Sequence, residues 1–305
     1  MQQESELTQK GYEKLRKVGS REEFETVWLA RNTNANQYYA IKELLYKSAP
    51  EKDKLSNDWN LMNNAYSKII KTVSKSKLTY IPFVEPKEYF ISESNNTVYY
   101  IIEYCGGGNL KSYVKTLKQQ QTRINEERVW KLIKQIAFAL NTLHTLQIEH
   151  EYLTPENIML TKDVSIKLSR YGLPRIQPEE EANLTAIDNS QIYKAPELQQ
   201  EIQPDNSDND DVVIIIDPDI AYTNAVDIWS FGIIVFELIS WNHPFSCEGT
   251  IYTDTEIINQ IRHQNPSKLP DQYSDQLKNL IMNMLEKEPS QRITADQILQ
   301  KIRRR

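Results

Sequence analysis

Between Ile228 and Trp241 the chain reads IWSFGIIVFELISW, apolar on every side of a helix and interrupted by a single charged residue, Glu237. A helix without a polar face has to be enclosed by other parts of the chain. The run is also too short for a bilayer, which takes about 20 apolar residues. It therefore reads as a buried helix at the centre of a thick body, and 305 residues of which 39% are hydrophobic supply that body. Net charge is 36 minus 42, or −6, which argues against a nucleic-acid or anionic-membrane partner; the final Arg303–Arg305 reads as a solvated helix end. Cys105 and Cys247 lie far apart without metal-ligand spacing, and MQQESELTQK has no apolar signal core. The expected setting is the cytoplasm, without membrane insertion.

Residues 12 to 46 alternate like paired strands, YEKLRKVG, FETVWLARN and QYYAIKELL, with Asn32 to Gln37 as a polar turn. A helix is expected from about Glu51 to Ile70, with Leu55, Leu61, Met62 and Tyr66 on its apolar face. Two more strands follow near Glu88–Ser92 and Val98–Glu103, then a long helix over Glu126–Thr145. Strands early and helices late define an α+β chain.

The stretches VGSREEFETV (18–27), YAIK ending at Lys42, VYYIIEYCGGGNL (98–110), IEHEYLTPENIML (148–160), VSIKLSRYGL (164–173), APE at Ala195–Glu197, VDIWSFG from Val226 and SQRIT around Arg292 carry a family likeness. Together, over about residues 12 to 302, they resemble a eukaryotic protein kinase. INEERVWKLIKQIAFALNTLH, IMLTKD and YSDQLKNLIMNMLEKEPSQRITADQIL look most like the NIMA-related group. The resemblance implies a bilobal protein-kinase-like fold: an extension at 1–11, a mostly β lobe at 12–103, and a mostly α lobe at 104–305 with an acidic insert at about 201–219. By analogy it also implies cytoskeletal, ciliary or cell-cycle settings.

The working residues of that family are where this chain departs from it. Of the glycine-rich turn only Gly19 remains, and Glu22 and Glu25 occupy the frame of the later glycines. A carboxylate about 4 Å from a phosphate charge would cost about 4 kcal/mol at an effective dielectric of about 20. Lys42 matches the lysine that contacts nucleotide phosphates. Asp58 is the nearest candidate for its helix partner, though counting from Lys42 also permits Asn60; alternatively Lys42 makes a stabilising pair with Glu22 or Asp58. Ile102 takes the gatekeeper place, Glu103 to Cys105 the adenine-facing backbone, and Val27, Ala40 and Met159 flank the adenine slot. In the catalytic-loop frame His150 and Asn157 stand, but Glu151 replaces the Arg, Tyr152 the proton-accepting Asp, and Thr154 the Lys. A phenol is neutral near pH 7 and a poor general base. Arg170 replaces the magnesium-binding Asp, and a guanidinium has no acceptor.

Positions implied to be structural are kept: Glu197 to pair with Arg292, Asp227 to tie down the catalytic-loop backbone, and Met62, Phe90, His150 and Tyr171 as a stacked spine. Arg170 is expected in the former metal site against Asp58 or Glu22, with Tyr152 packed or hydrogen-bonded in its loop. No catalytic residue, metal or cofactor is expected, with Asn157 a vestigial metal residue; ATP without magnesium, held by Lys42 and Arg170, is the remaining option. The reading is a catalytically inactive kinase-like domain, a pseudokinase acting as scaffold or allosteric partner. The alternative is a weak serine/threonine kinase using Glu151 or Glu156 as base. Thr185, Ser190 and Tyr193 are the activation-segment hydroxyls, and Glu151 would repel a phosphate there. Glu201–Asp219 holds seven acidic residues and no Lys or Arg. Its apolar core Val212–Ile216 either folds back on its own lobe or docks a protein partner with a basic rim.

Overall fold

A computed structural model describes residues 6–21, 25–74, 80–173, 191–199, 201–204, 212–215, 223–246 and 253–305. They form two compact units, one comprising 1–108 with 159–173, the other 109–158 with 174–305.

The first unit is built on a five-stranded antiparallel sheet in the order β1-β2-β3-β5-β4: Tyr12–Arg21, Glu25–Asn32, Gln37–Leu45, Thr97–Glu103 and Pro86–Ser92. Alternation sends neighbouring side chains to opposite faces. On one face Tyr99, Ile101, Ile41, Ala30, Tyr12 and Phe90 pack with Leu7 of the short helix α1 (Glu6–Gln9), so the N-terminal extension adds a residue to the sheet core. On the other face Val98 and Tyr100 meet Trp59 of helix α2 (Ala49–Val73).

Helix α2 begins where the Ser48 side chain accepts the Glu51 N–H, with Pro50 in the first turn, where its missing N–H costs nothing. Its anchor is Trp59, which the expected apolar face omitted; the ring lies 5.4 Å from that of Tyr89 and 5.1 Å from that of Tyr100. Phe90 is corrected likewise. It belongs to the α1 face and stacks on Tyr99 at 5.0 Å, whereas Met62 packs on the α2 face, so the two do not share a spine.

After β5 the chain is held to the short strand β6 (Ile158–Leu160), which pairs with β7 (Ile166–Leu168). Gly107 donates to the Leu160 carbonyl at 2.9 Å, and a Cβ there would lie 2.3 Å from the Thr161 oxygen. Only glycine permits this approach.

The second unit is helical: α3 (Leu110–Gln119), α4 (Glu126–Thr145), α5 (Ala225–Ser240), α6 (Asp254–His263), α7 (Asp275–Met284) and α8 (Ala295–Arg303). Side-chain caps start most of them: Asn109, Asn125, Thr253, Ser274 and Thr294 each accept a first-turn N–H. Helix α5 is the apolar run, enclosed nearly all round, with Trp229 stacked on Phe245 at 5.6 Å. Gly232 lets α7 close in, because a Cβ there would sit 2.9 Å from both Met284 Cβ and Leu285 Cδ2.

In the insert, β8 (Glu201–Pro204) and β9 (Val212–Ile215) form an antiparallel pair with Ile202 opposite Ile214. The backbone of the apolar segment thus pairs within the insert itself. Residues 205–211 and 216–219 lie outside the described residues, as do Glu22, Thr185, Ser190 and Cys247. Among the described residues no helix is long and apolar enough to cross a membrane.

Candidate active site

Gly19, Val27, Ala40, Lys42, Glu103, Cys105 and Met159, the residues assigned to a nucleotide pocket, all belong to the first unit. The β2–β3 register sets Val27 opposite Lys42 and Glu25 opposite Leu44, so Glu25 and Lys42 are diagonal neighbours on one face of the sheet. Their ion pair measures 3.0 Å, with side chains only 22% and 18% exposed for Lys42 and Glu25. The carboxylate set against Lys42 among the described residues is thus Glu25 rather than Asp58; the Glu22 alternative falls outside the described residues. Asp58 is half-buried on α2, and Asn60, the other candidate by counting, is exposed. Asp58, Glu25 and Arg170 all bear on Tyr100: burial first, then the Asp58 charge, raises this phenol's pKa, Glu25 adds to it, and Arg170 opposes.

Glu103 is fastened at both ends. Its N–H donates to the Glu85 carbonyl at 2.9 Å, and its carboxylate receives Lys167 at 2.8 Å. Cys105 is buried, and burial followed by the Glu103 charge pushes its thiol up to about 12, so the thiol itself is uncharged. Ala40 is buried, Val27, Ile102 and Met159 are half-buried, and Gly19 lies across from Val27 with room for a side chain.

The turn 170–172 is left-handed at both its first and its last residue. Arg170 is left-handed at φ 63°, a conformation that costs a non-glycine residue about 1–2 kcal/mol. Tyr171 is fully buried, packs edge-on to Phe83 at 5.2 Å, and donates its hydroxyl to the Val84 carbonyl at 2.6 Å. Gly172, at φ 69°, lies where a Cβ would meet Ala65 Cβ at 2.6 Å.

The catalytic-loop frame lies in the second unit and hangs on Asp227 near the start of α5. Its Oδ2 accepts the His150 N–H at 2.8 Å and its Oδ1 the Glu151 N–H at 2.9 Å, while His144 Nε2 is 2.8 Å from Oδ2. Burial would raise the Asp227 pKa, but these partners, His144 foremost, hold it below the usual carboxylate value. Glu151 is left-handed at φ 60°. Tyr152 is half-buried; its N–H donates to the His150 carbonyl at 2.7 Å, and its own carbonyl accepts the Asn157 side-chain amide at 2.7 Å. Thr154 is buried, and its carbonyl accepts the Asn157 N–H at 3.0 Å. Glu156 pairs with Lys111.

Elsewhere in this unit Arg292, with its side chain wholly enclosed, grips Glu197 through two N–H···O bonds of 2.8 and 2.9 Å. Tyr193 is buried and donates to Glu237 Oε2 at 2.9 Å, which makes it a packed anchor instead of an accessible phosphorylation site. Burial raises the Glu237 carboxyl to about 7; the Tyr193 hydroxyl opposes, the Glu156 charge adds, and Lys111 opposes. Glu237 was visible in the sequence as the one charge in the apolar run, yet no pattern there pointed to Tyr193.

The folded chain therefore holds the Glu237 proton up to pH about 7, while the unfolded chain releases it near the ordinary 4.5. Stability falls as pH rises across that window and is flat above it. Glu237→Gln is expected to gain about 2 kcal/mol over the wild type at pH 8, after a discount for residual solvent contact, and roughly a quarter of that at pH 5. Urea melts at the two pH values test this, and parallel behaviour of the two proteins would refute it.

Arg170 brings a cation without an acceptor to the position where the family resemblance places a magnesium-binding carboxylate, and the carboxylate of Glu25 sits on Lys42.

Sheet, helices and loop frame together define a protein kinase domain, and residues 12–302 match that family, so the chain belongs to it. Its relatives include Nek and NIMA-related kinases. It is 28% identical over 288 residues to the serine/threonine-protein kinase Nek6 of Oryza sativa subsp. japonica, covering 94% of this chain and 47% of that protein. It is 26% identical over 263 residues to a probable serine/threonine-protein kinase, nek2, of Dictyostelium discoideum, covering 85% and 54%. It is 26% identical over 266 residues to the human serine/threonine-protein kinase Nek2, covering 85% and 52%. The chain thus spans about half the length of these relatives.

Proposed function

We propose that this protein kinase domain does not transfer phosphate and acts through its shape, as a scaffold or allosteric partner for another protein. The observation that carries the reading is chemical: the proton-accepting position holds Tyr152 and the metal-holding position Arg170, on a backbone that keeps the family's frame at Asp227 and Gly172. Loss of a general base alone lowers a rate about 10²- to 10⁴-fold, and loss of the metal leaves the developing phosphate charge unneutralised. The acidic insert is the proposed protein-docking element, and the Nek likeness favours cytoskeletal or ciliary partners. A weak serine/threonine kinase is the second reading, favoured by the naming of the relatives as kinases and by Asn157 remaining in its loop.

The test is incorporation of radioactive phosphate from ATP with magnesium into a basic protein substrate. The expected signal equals that of Lys42→Ala. Labelling that vanishes with Lys42→Ala establishes the kinase instead.

A further inference from the structure

We propose that Glu25 occupies the anion subsite of the nucleotide pocket from within the chain, so that the pocket takes an uncharged adenine nucleoside in preference to adenosine triphosphate. This deepens the noncatalytic reading and rests on it. The strand lysine of a kinase sheet is the group that meets nucleotide phosphates. Here that lysine, Lys42, is 3.0 Å from the Glu25 carboxylate, and both side chains are mostly withdrawn from solvent. Glu25 is fixed by its strand: it pairs with Arg21 on one side and Leu44 on the other, and its carbonyl accepts the Ser20 hydroxyl at 3.3 Å. A phosphate reaching Lys42 must displace this carboxylate or lie beside it, and two like charges at that separation repel strongly in a partly enclosed site.

On the base side the neighbouring strand residues are apolar. The register lays Val27, Ala40 and Ile102 on the same face as Glu25 and Lys42, giving an apolar wall for a planar ring. The Cys105 N–H donates to no group among the described residues, while its carbonyl accepts from Gly108 at 3.4 Å. A ring nitrogen with a lone pair is what such a donor suits. The thiol beside it stays protonated and adds no charge. The same face that accepts a neutral heterocycle therefore rejects its phosphorylated form.

Calorimetric titration of the whole chain with adenosine, then with magnesium-free ATP, tests this. The wild type is expected to bind adenosine at least as tightly as ATP. Glu25→Gln is expected to tighten ATP by about tenfold and to leave adenosine within about twofold. Unchanged adenosine binding also shows that the variant is folded, and adding Lys42→Met should remove the gain in ATP binding. The proposal is overturned if the wild type prefers ATP, if Glu25→Gln leaves the preference unaltered, or if adenosine does not bind. An ATP preference leaves the argument from Tyr152 and Arg170 standing. Phosphate transfer in the labelling assay defeats that argument whatever the titration gives.

Discussion

Arg292→Leu is expected to destabilise the second unit by about 3–5 kcal/mol, the usual range when one partner of a buried ion pair is removed and the other is left behind. All five N–H donors of a guanidinium are used here: two on Glu197, and one each on the Ala225, Glu286 and Lys287 carbonyls at 2.8, 2.7 and 3.1 Å. The guanidinium also lies 5.2 Å from the Trp229 ring centroid. It thereby joins the residues after α7, the start of α5 and the Ala195–Glu197 segment through one side chain. Arg292→Lys should lose nearly as much, because an ammonium is a point charge with three donors and cannot reproduce the fork. Denaturant melts followed by tryptophan fluorescence measure this. A loss under about 1 kcal/mol for Arg292→Leu would mean the cluster relaxes into another arrangement and is not a keystone.

Asp227→Ala is expected to cost about 3–5 kcal/mol as well, for a different reason. It removes the acceptor of two backbone N–H groups, at His150 and Glu151, and the partner of His144. Each buried donor left unmade costs about 1–3 kcal/mol, and Glu151 would lose the bond that holds it left-handed. Asp227→Asn keeps one acceptor oxygen and should lose roughly half as much. Because the Asp227 pKa is depressed, its contribution is present above the ordinary carboxylate range and fades as pH falls through the folded value. The gap between wild type and Asp227→Asn should therefore narrow in acid. An equal gap at pH 7 and in acid would refute the assignment.

Much of this architecture was legible because it is local or strongly periodic. The apolar run 228–241 could only be an enclosed helix, and α5 covers 225–240. The alternating stretches before Leu45 became β1 to β3 with shifts of a residue or two at their ends. Glu197, Arg292 and Asp227 were legible through family motifs, and the structure brings the first two together and sets the third under the loop. What stayed hidden depends on register and facing. That Glu25 meets Lys42 follows from the β2–β3 pairing, which places Glu25 on the diagonal. Phe90 and Tyr89 are neighbours in sequence, and only the sheet decides which of them faces α2. The pairing of Val212–Ile215 with Glu201–Pro204 was obscured because the second segment carries Glu201, Gln203 and Pro204 and looks nothing like a strand.

The turn at 170–172 is held in place from two sides. Swinging Tyr171 outward would sever its bond to Val84 and strip a buried ring from Phe83, while Gly172 would leave its contact with Ala65. Any rearrangement of the turn would first have to overcome that anchoring, so the ring is fixed in one place in the folded chain.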